Sequence, residues 1–392
     1  MYVVKLLSFN PLLFDDSLKK WTGRELFFSR YDLLNMQSRA HQDCPDALTT
    51  IDVRPAAIEE YLGQELHPAD SVVFVRTGGA GDVMMIMPLI QRIKKAMPSI
   101  RIGLATRKKF IELGVMSPYI DEVLTIPAAA EAVEKYDYVA QFYDAIEFPW
   151  TPARTLHGCN VFARRIGLPD LTREEMRVEL VPPKGSVSQI THRLKKAGIK
   201  PTDRILLYQF KSSNVNRTYP PVKSAQLVYA LSMLDPSVHV IITGGRTDCQ
   251  MEWRGPDNRP LSRIHNWAGH TDLYDMAALA QRASLCIAPD SFLAHLGGAM
   301  GVPTLGLFNA VRPEMRIGQY DNVASLFTPY PCAPCFCHGP NPCSKCAILI
   351  KDWAARDKKD EPKPGAPCWQ AITNRDICRM AAQLMGMEGH DA

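Results

Sequence analysis

The feature that most narrows what this chain can fold into is a pattern used repeatedly along it: a short apolar run, a loop carrying glycine or a carboxylate, then an apolar helical stretch. It begins at Val72-Val-Phe-Val75, passes through Gly78-Gly-Ala-Gly81 and continues from Val83 to Met97, with Lys94 and Lys95 near the end where cations favour a helix C-terminus. Further short strands are expected at 101–105, 122–126 and 138–141. After a turn-rich stretch, Val181-Pro-Pro-Lys-Gly-Ser186, the pattern resumes, with strands expected at 205–210, 238–243, 285–288 and 304–308 and helices near 221–234, 273–283 and 292–300. Strands alternating with helices imply parallel sheets joined by crossover helices.

With 392 residues the chain exceeds one ordinary core, so the turn-rich stretch is read as a domain boundary. The expected architecture is α/β: two doubly wound Rossmann-like domains, 69–185 and 186–392, facing a shared cleft at the carboxyl ends of their strands. Residues 1–68 form an N-terminal extension of unassigned role, with one short helix expected to open at Pro55 within Ile51–Leu62. Hydrophobic residues make up 46% and no run of about 18 apolar residues could span a bilayer, so a soluble protein is expected, with peripheral membrane association left open. A net charge of +4 over this length argues against nucleic acid as a partner. The segment Met1–Phe14 does not read as a signal peptide, which points to the cytoplasm.

Several loops offer chemistry. Arg76-Thr-Gly-Gly-Ala-Gly-Asp82 follows a strand and opens a helix, so Gly79 and Gly81 allow close ligand approach, while Asp82 reads either as an N-cap or as a base at a cleft. A dinucleotide site would want a carboxylate at the end of the next strand, but Leu104-Ala-Thr-Arg-Lys-Lys109 offers only cations there, which disfavours NAD. The loop Lys211-Ser-Ser-Asn-Val-Asn-Arg217 suits phosphate oxygens through Ser212, Ser213 and Arg217, or is simply solvated. Asp248 closes Thr243-Gly-Gly-Arg-Thr-Asp248 as a turn residue or a ribose ligand. Asp290, Ser291 and His295 lie in Ile287-Ala-Pro-Asp-Ser-Phe-Leu-Ala-His295, where capping and packing compete with ligand binding.

Taken in this order, the pieces resemble glycosyltransferase family 9, the ADP-heptose heptosyltransferases of lipopolysaccharide and other surface-glycan assembly. The resemblance runs through Val72–Asp82, Tyr119-Ile-Asp-Glu-Val123, Ala268-Gly-His-Thr-Asp-Leu-Tyr-Asp-Met-Ala277, Pro289–His295 and Gly301-Val-Pro-Thr-Leu-Gly-Leu-Phe308. It implies a GT-B fold and an inverting enzyme that moves a sugar, heptose first among candidates, from a nucleoside diphosphate such as ADP-heptose to a glycan or protein acceptor. No catalytic metal is implied. Asp82 falls at the family's general base. Asp290 would anchor sugar hydroxyls, Thr271, Ser291, Phe292 and His295 would line the donor, Arg217 stands where the family has a lysine, and Asp248 falls at the ribose. Phe292 replaces a usual glycine. The alternative is a catalytically inert GT-B scaffold acting in binding or assembly.

The chain carries eleven cysteines, five of them between Cys332 and Cys346. Cys332/Cys335 and Cys343/Cys346 are C-x2-C pairs, with Cys368 further on, a spacing that suits a tetrahedral metal site or else free thiols in a loop. The stretch 331–368 resembles the cysteine finger of the autotransporter heptosyltransferase branch, which implies that four of these five thiolates hold structural iron or zinc.

Overall fold

A computed structural model describes residues 2–6, 25–28, 51–142, 145–146, 154–248, 253, 262–327, 330–336 and 366–387. The chain divides into two compact units, Met1–Phe148 with Gly158–Met176, and Pro149–His157 with Arg177–Ala392. It passes from the first to the second for the last time just before the turn-rich stretch 181–186.

The first unit contains β1 (Tyr2–Leu6), β2 (Glu25–Phe28), β3 (Ile51–Pro55), β4 (Glu59–Glu60), β5 (Ser71–Val75), β6 (Arg101–Arg107), β7 (Glu122–Ile126), β8 (Ala128–Ala129) and β9 (Tyr138–Gln141). Its helices are α1 (Ala80–Ala96), α2 (Ile111–Met116), α3 (Ala130–Glu134) and α4 (Gly158–Arg165). Five strands form a parallel sheet in the order β4-β9-β5-β6-β7. β5 lies between β6 and β9 and is buried along its whole length, which is why it reads as an unbroken apolar run.

A second, antiparallel sheet has the order β3-β1-β2-β8. This corrects the sequence expectation: Ile51–Pro55 opens no helix but pairs with β1 along its full length, and Glu59–Glu60 extends the parallel sheet. Alternating β-branched residues at 51 and 53 fit a strand. Arg54 then fixes the position, donating to Glu134 of α3 at 2.8 Å and to Glu25 of β2 at 2.7 Å.

The second unit contains α5 (Lys184–Lys196), β10 (Arg204–Tyr208), α6 (Pro221–Ser232), β11 (Val238–Ile242), β12 (Ile264–Asn266), α7 (Leu273–Ala280), β13 (Leu285–Pro289), α8 (Phe292–Ala299), β14 (Thr304–Phe308), β15 (Val323–Phe327) and α9 (Asn374–Leu384). Its six strands are parallel in the order β12-β11-β10-β13-β14-β15. The order reverses between β10 and β13, and in open α/β sheets ligands bind beyond the carboxyl ends of the strands at that point. The first unit has the same reversal between β5 and β9. The C-terminal segment returns to cover α6: Lys223 Nζ donates to the Trp369 carbonyl at 2.8 Å and Asn374 Nδ2 to the Lys223 carbonyl at 3.0 Å. Among the described residues no helix is long and apolar enough to cross a membrane.

At one edge of this sheet His239 and His265 stack with centroids 5.3 Å apart and ring nitrogens 3.0 Å apart. Burial, then the neighbouring His239, pushes the His265 pKa down to about 4. The charged form is therefore disfavoured in the native state, so stability is complete above the unfolded value near 6.5 and is lost as pH falls toward 4. Urea midpoints should drop between pH 7.5 and pH 5, with about 1–2 kcal/mol of the loss due to this ring, and His265→Gln should flatten that slope. An unchanged slope in the variant would assign the acid sensitivity elsewhere.

Candidate active site

In the first unit the site is built where β5 ends. Arg76 continues the ladder, its amide donating to the Ala105 carbonyl of β6 at 3.0 Å, while its side chain turns inward and is only 3% exposed. Nη1 donates to the Phe142 carbonyl just past β9 at 2.8 Å, and the guanidinium lies 5.0 Å over the Phe162 ring of α4. Nη2 pairs with Asp82 Oδ2 at 3.1 Å, and the same oxygen accepts from the Gly79 amide at 2.6 Å. Asp82 is thus not the N-cap. Gly79 is, and Asp82 stands in the third helical position and reaches back to it, as in a capping box. Gly78 leaves room for this pair, since a Cβ there would collide with Asp82 Oδ2 and the Arg76 guanidinium. Gly81 lies in the first turn of α1.

In the second unit Arg217, Ser212 and Ser213 gather at Asp290, which follows β13 and is 5% exposed. Arg217 Nη1 pairs with Asp290 Oδ2 at 3.0 Å and its Nη2 donates to Ser213 Oγ at 2.7 Å, while Ser212 Oγ donates to the Asp290 carbonyl at 2.9 Å. Burial alone would raise the Asp290 pKa; the charges of Arg217, Arg316 and His295 bring it below the ordinary carboxylate value. Arg217 and Asp290 are therefore one unit rather than two independent ligands. Ser291 is the N-cap of α8 but makes no side-chain cap; its Oγ donates to Gln209 Oε1 at 3.2 Å. The first-turn amides of α8 therefore lack a side-chain acceptor from Ser291, at a helix end that favours anions. Phe292 begins α8 half-buried, and His295 is buried one turn on.

Asp248 lies beyond β11, next to β10. Its Oδ2 accepts from the Gly245 amide at 2.9 Å and its Oδ1 pairs with Lys211 Nζ at 2.8 Å. Gly244 has φ +155°, and a Cβ there would strike the Asp248 carboxylate. Thr271 precedes Asp272, the N-cap of α7, and follows the edge strand β12, so it is the sequence-selected residue set furthest along the sheet from β13.

Sequence reasoning missed several residues. Arg76 sat inside the quoted glycine loop but carried no motif of its own. Gln209 and Lys211 flank the end of β10. Asn309 Nδ2 and Trp369 Nε1 both donate to the Asn216 carbonyl, at 2.6 and 2.9 Å, and so fix the residue next to Arg217. No spacing signal could have joined position 369 to position 216.

Of the cysteines, Cys343 and Cys346 lie outside the described residues. Cys332 and Cys335 are half-buried, and Cys368 is buried with its Sγ accepting from Asn309 Nδ2 at 3.1 Å. Burial pushes the Cys368 pKa up to about 11, and Cys332 and Cys335 are near enough to add to that rise. Among the described residues no group of three or more His, Cys, Asp or Glu side chains could hold a metal.

Residues 144–342 match the sequence profile of glycosyltransferase family 9 (heptosyltransferase), about half of the chain. The chain belongs to that family. Lipopolysaccharide heptosyltransferase 1 of Pseudomonas aeruginosa is 38% identical over 63 residues, which cover 16% of this chain and only 18% of that relative. Among solved structures, a family 9 glycosyltransferase from Veillonella parvula aligns over 83% of this chain and 99% of its own, at 16% identity and TM-score 0.58. The ADP-heptose lipopolysaccharide heptosyltransferase II of Escherichia coli covers 81% and 99%, at 14% and 0.58. The iron-containing dodecameric glycosyltransferase TibC of enterotoxigenic E. coli covers 85% and 78%, at 15% and 0.54. At these identities the likeness concerns the fold, a mixed α/β architecture with parallel sheets, as the sequence led one to expect.

The close fit at Gly78 yields a test. In this family 9 protein Gly78→Ala should force Asp82 and Arg76 apart and cost about 1–3 kcal/mol in urea unfolding, the usual range for overpacking a tight site. Wild-type stability would mean that the loop yields without loss.

Proposed function

We propose that this protein is an inverting glycosyltransferase that moves a sugar from a nucleoside diphosphate donor to a glycan or protein acceptor, ADP-heptose being the first donor to test. One observation carries this reading: the Arg217–Asp290 pair stands beside the first turn of α8 at the point where the strand order reverses. There a guanidinium and helix amides suit a diphosphate, while a buried, ionised carboxylate suits sugar hydroxyls. Family 9 membership supports it, as do relatives named for heptosyl transfer.

In the proposed reaction Asp82 takes the proton of the acceptor hydroxyl as that oxygen bonds to the anomeric carbon. The bond from that carbon to the β-phosphate oxygen breaks, the nucleoside diphosphate leaves with the electron pair, and attack opposite the leaving group inverts the centre. Charge building on the diphosphate is met by Arg217 and the α8 amides, fixed donors of a kind worth about 3 kcal/mol each in acyl-transfer sites, with no catalytic metal. Lys211 keeps Asp248 placed to receive a ribose hydroxyl.

Asp82→Asn should lower transfer at least 100-fold while leaving donor affinity within a few-fold, because the amide can still accept from Gly79 but takes no proton. Retention of half the wild-type kcat would remove Asp82 from the base role. Donor binding without turnover on any sugar nucleotide would instead favour an inert scaffold.

We further propose that four of Cys332, Cys335, Cys343, Cys346 and Cys368 hold a structural iron or zinc ion, soft thiolates suiting either. Elemental analysis of the purified protein should find about one metal per chain, and the double variant Cys332→Ser/Cys335→Ser should lose it. A metal-free wild type prepared without chelators would dispose of the idea.

A further inference from the structure

The start of α8 does not use the residue that stands there as such residues are ordinarily used. Ser291 is the N-cap, its backbone extended at φ −154° and ψ 175°, yet its side chain makes no capping hydrogen bond. Serine is among the best N-caps, because its oxygen accepts from the second or third amide of the helix. The second unit employs that device elsewhere. Asp272 accepts from the Asp275 amide at 2.8 Å at the start of α7, and Thr373 from the Asp376 amide at 3.1 Å at the start of α9. At α8 the hydroxyl is turned away instead.

It is turned by Gln209. Ser291 Oγ donates to Gln209 Oε1 at 3.2 Å, and the carboxamide is held in that sense because its Nε2 donates to the Lys211 carbonyl at 3.0 Å. The backbone of Gln209 is fixed as well: its amide donates to the Ile287 carbonyl at 3.0 Å, which carries the ladder between β10 and β13 one residue past the end of β10. These are the two strands between which the sheet order reverses. Asp290, the other oxygen-bearing side chain just before α8, is likewise engaged, by Arg217 at 3.0 Å, while Ser212 Oγ donates to its carbonyl at 2.9 Å. Both side chains that could close the helix are thus held by residues of the segment that follows β10. An arrangement of this kind forgoes the capping interaction and keeps the first-turn amides available to an external anion.

We propose that Gln209 is a positioning residue for the donor: it holds the Ser291 hydroxyl off the first turn of α8, so that the amides there meet the diphosphate rather than the protein's own oxygen. This rests on the glycosyltransferase reading, from which it takes the diphosphate at α8, and extends it to a residue outside the motifs that carry that reading. Gln209 itself touches no phosphate. Without its carboxamide, Ser291 rotates about its Cα–Cβ bond onto the Leu293 or Ala294 amide, and the diphosphate has to displace it. Ser291 then competes with the donor.

Calorimetric titration of wild type, Gln209→Met and the double variant Gln209→Met/Ser291→Ala with ADP, inorganic pyrophosphate and adenosine tests this. Methionine keeps the length of glutamine and removes the oxygen that takes Ser291. Gln209→Met should weaken ADP and pyrophosphate about 3- to 30-fold, the affinity equivalent of one N-cap interaction, and leave adenosine within about twofold. Adding Ser291→Ala removes the competing oxygen and should restore about half or more of the lost affinity on a logarithmic scale, a rescue that a merely structural role would not produce. A single variant that binds ADP as tightly as wild type overturns the proposal, and so does a double variant no better than the single. Equal losses of ADP and adenosine would overturn it too, by making Gln209 a structural part. All of these leave the glycosyltransferase reading standing, whereas a wild type that binds neither ADP nor pyrophosphate sinks both. Should Gln209→Met not fold, Gln209→Asn, which stays polar but is one methylene too short to hold Ser291, goes through the same cycle with the same expected rescue.

Discussion

A carboxylate taken almost wholly out of water organises the second unit. Asp290 can stay ionised at 5% exposure only with cations fixed around it, since a buried charge without a partner costs several kcal/mol. Fixing Arg217 in turn requires a rigid loop, and the chain supplies this from distant places: Asn309 and Trp369 hold the Asn216 carbonyl, Ser212 reaches the Asp290 backbone, and Ser213 takes the second arm of Arg217. The glycines of α8 belong to the same construction. Gly297 and Gly298 admit Thr304 and Tyr320 where a Cβ would not fit, which draws the helix against β14 and the turn that carries Arg316. These glycines serve close packing.

The first unit solves a similar problem with fewer parts. Arg76 is more buried than Asp82, with side chains 3% and 23% exposed, so here the cation is the group that needs a partner. Asp82 supplies it while closing the first turn of α1 through the Gly79 amide. The capping and the functional readings of Asp82 are therefore compatible. The capping interaction sets where the carboxylate stands, and the half-open side of the same carboxylate is what a substrate could meet. In both units a strand ends at the reversal of sheet order, and an arginine from the loop after that strand or its neighbour grips the carboxylate.

The strand–loop–helix rhythm was legible because parallel strands buried on both faces have to be apolar throughout, as β5, β11, β13 and β14 are. Asp290, Arg217 and Asp248 could be picked out because each follows such a strand. What could not be read was partnership. That Arg217 is committed to Asp290, or that Gly78 exists to admit Arg76 to Asp82, depends on distances across the sheet that no local spacing encodes. The strand at 51–55 was misread for a related reason: a short segment with a proline at its end satisfies the rules for a helix start, and only its pairing with β1 decides otherwise.

The C-terminal segment shows how far such partnership extends. Cys335 and Phe336 pack on Ala310, Val311 and Met315, and the Phe336 amide donates to the Ala310 carbonyl at 2.9 Å. The stretch from Asn309 to Arg316 thus lies between the start of the cysteine-rich segment and the cluster around Asp290. Asn309 touches both sides at once, donating to the Asn216 carbonyl next to Arg217 and to the Cys368 sulfur. The backbone next to Arg217 is thus held in part by contacts with the cysteine-bearing C-terminal residues. Cys368 and Trp369 also belong to the buried core beneath the sheet, with Tyr208, Ile287 and Leu307, so the same C-terminal residues serve both the packing of the second unit and the backbone next to Arg217.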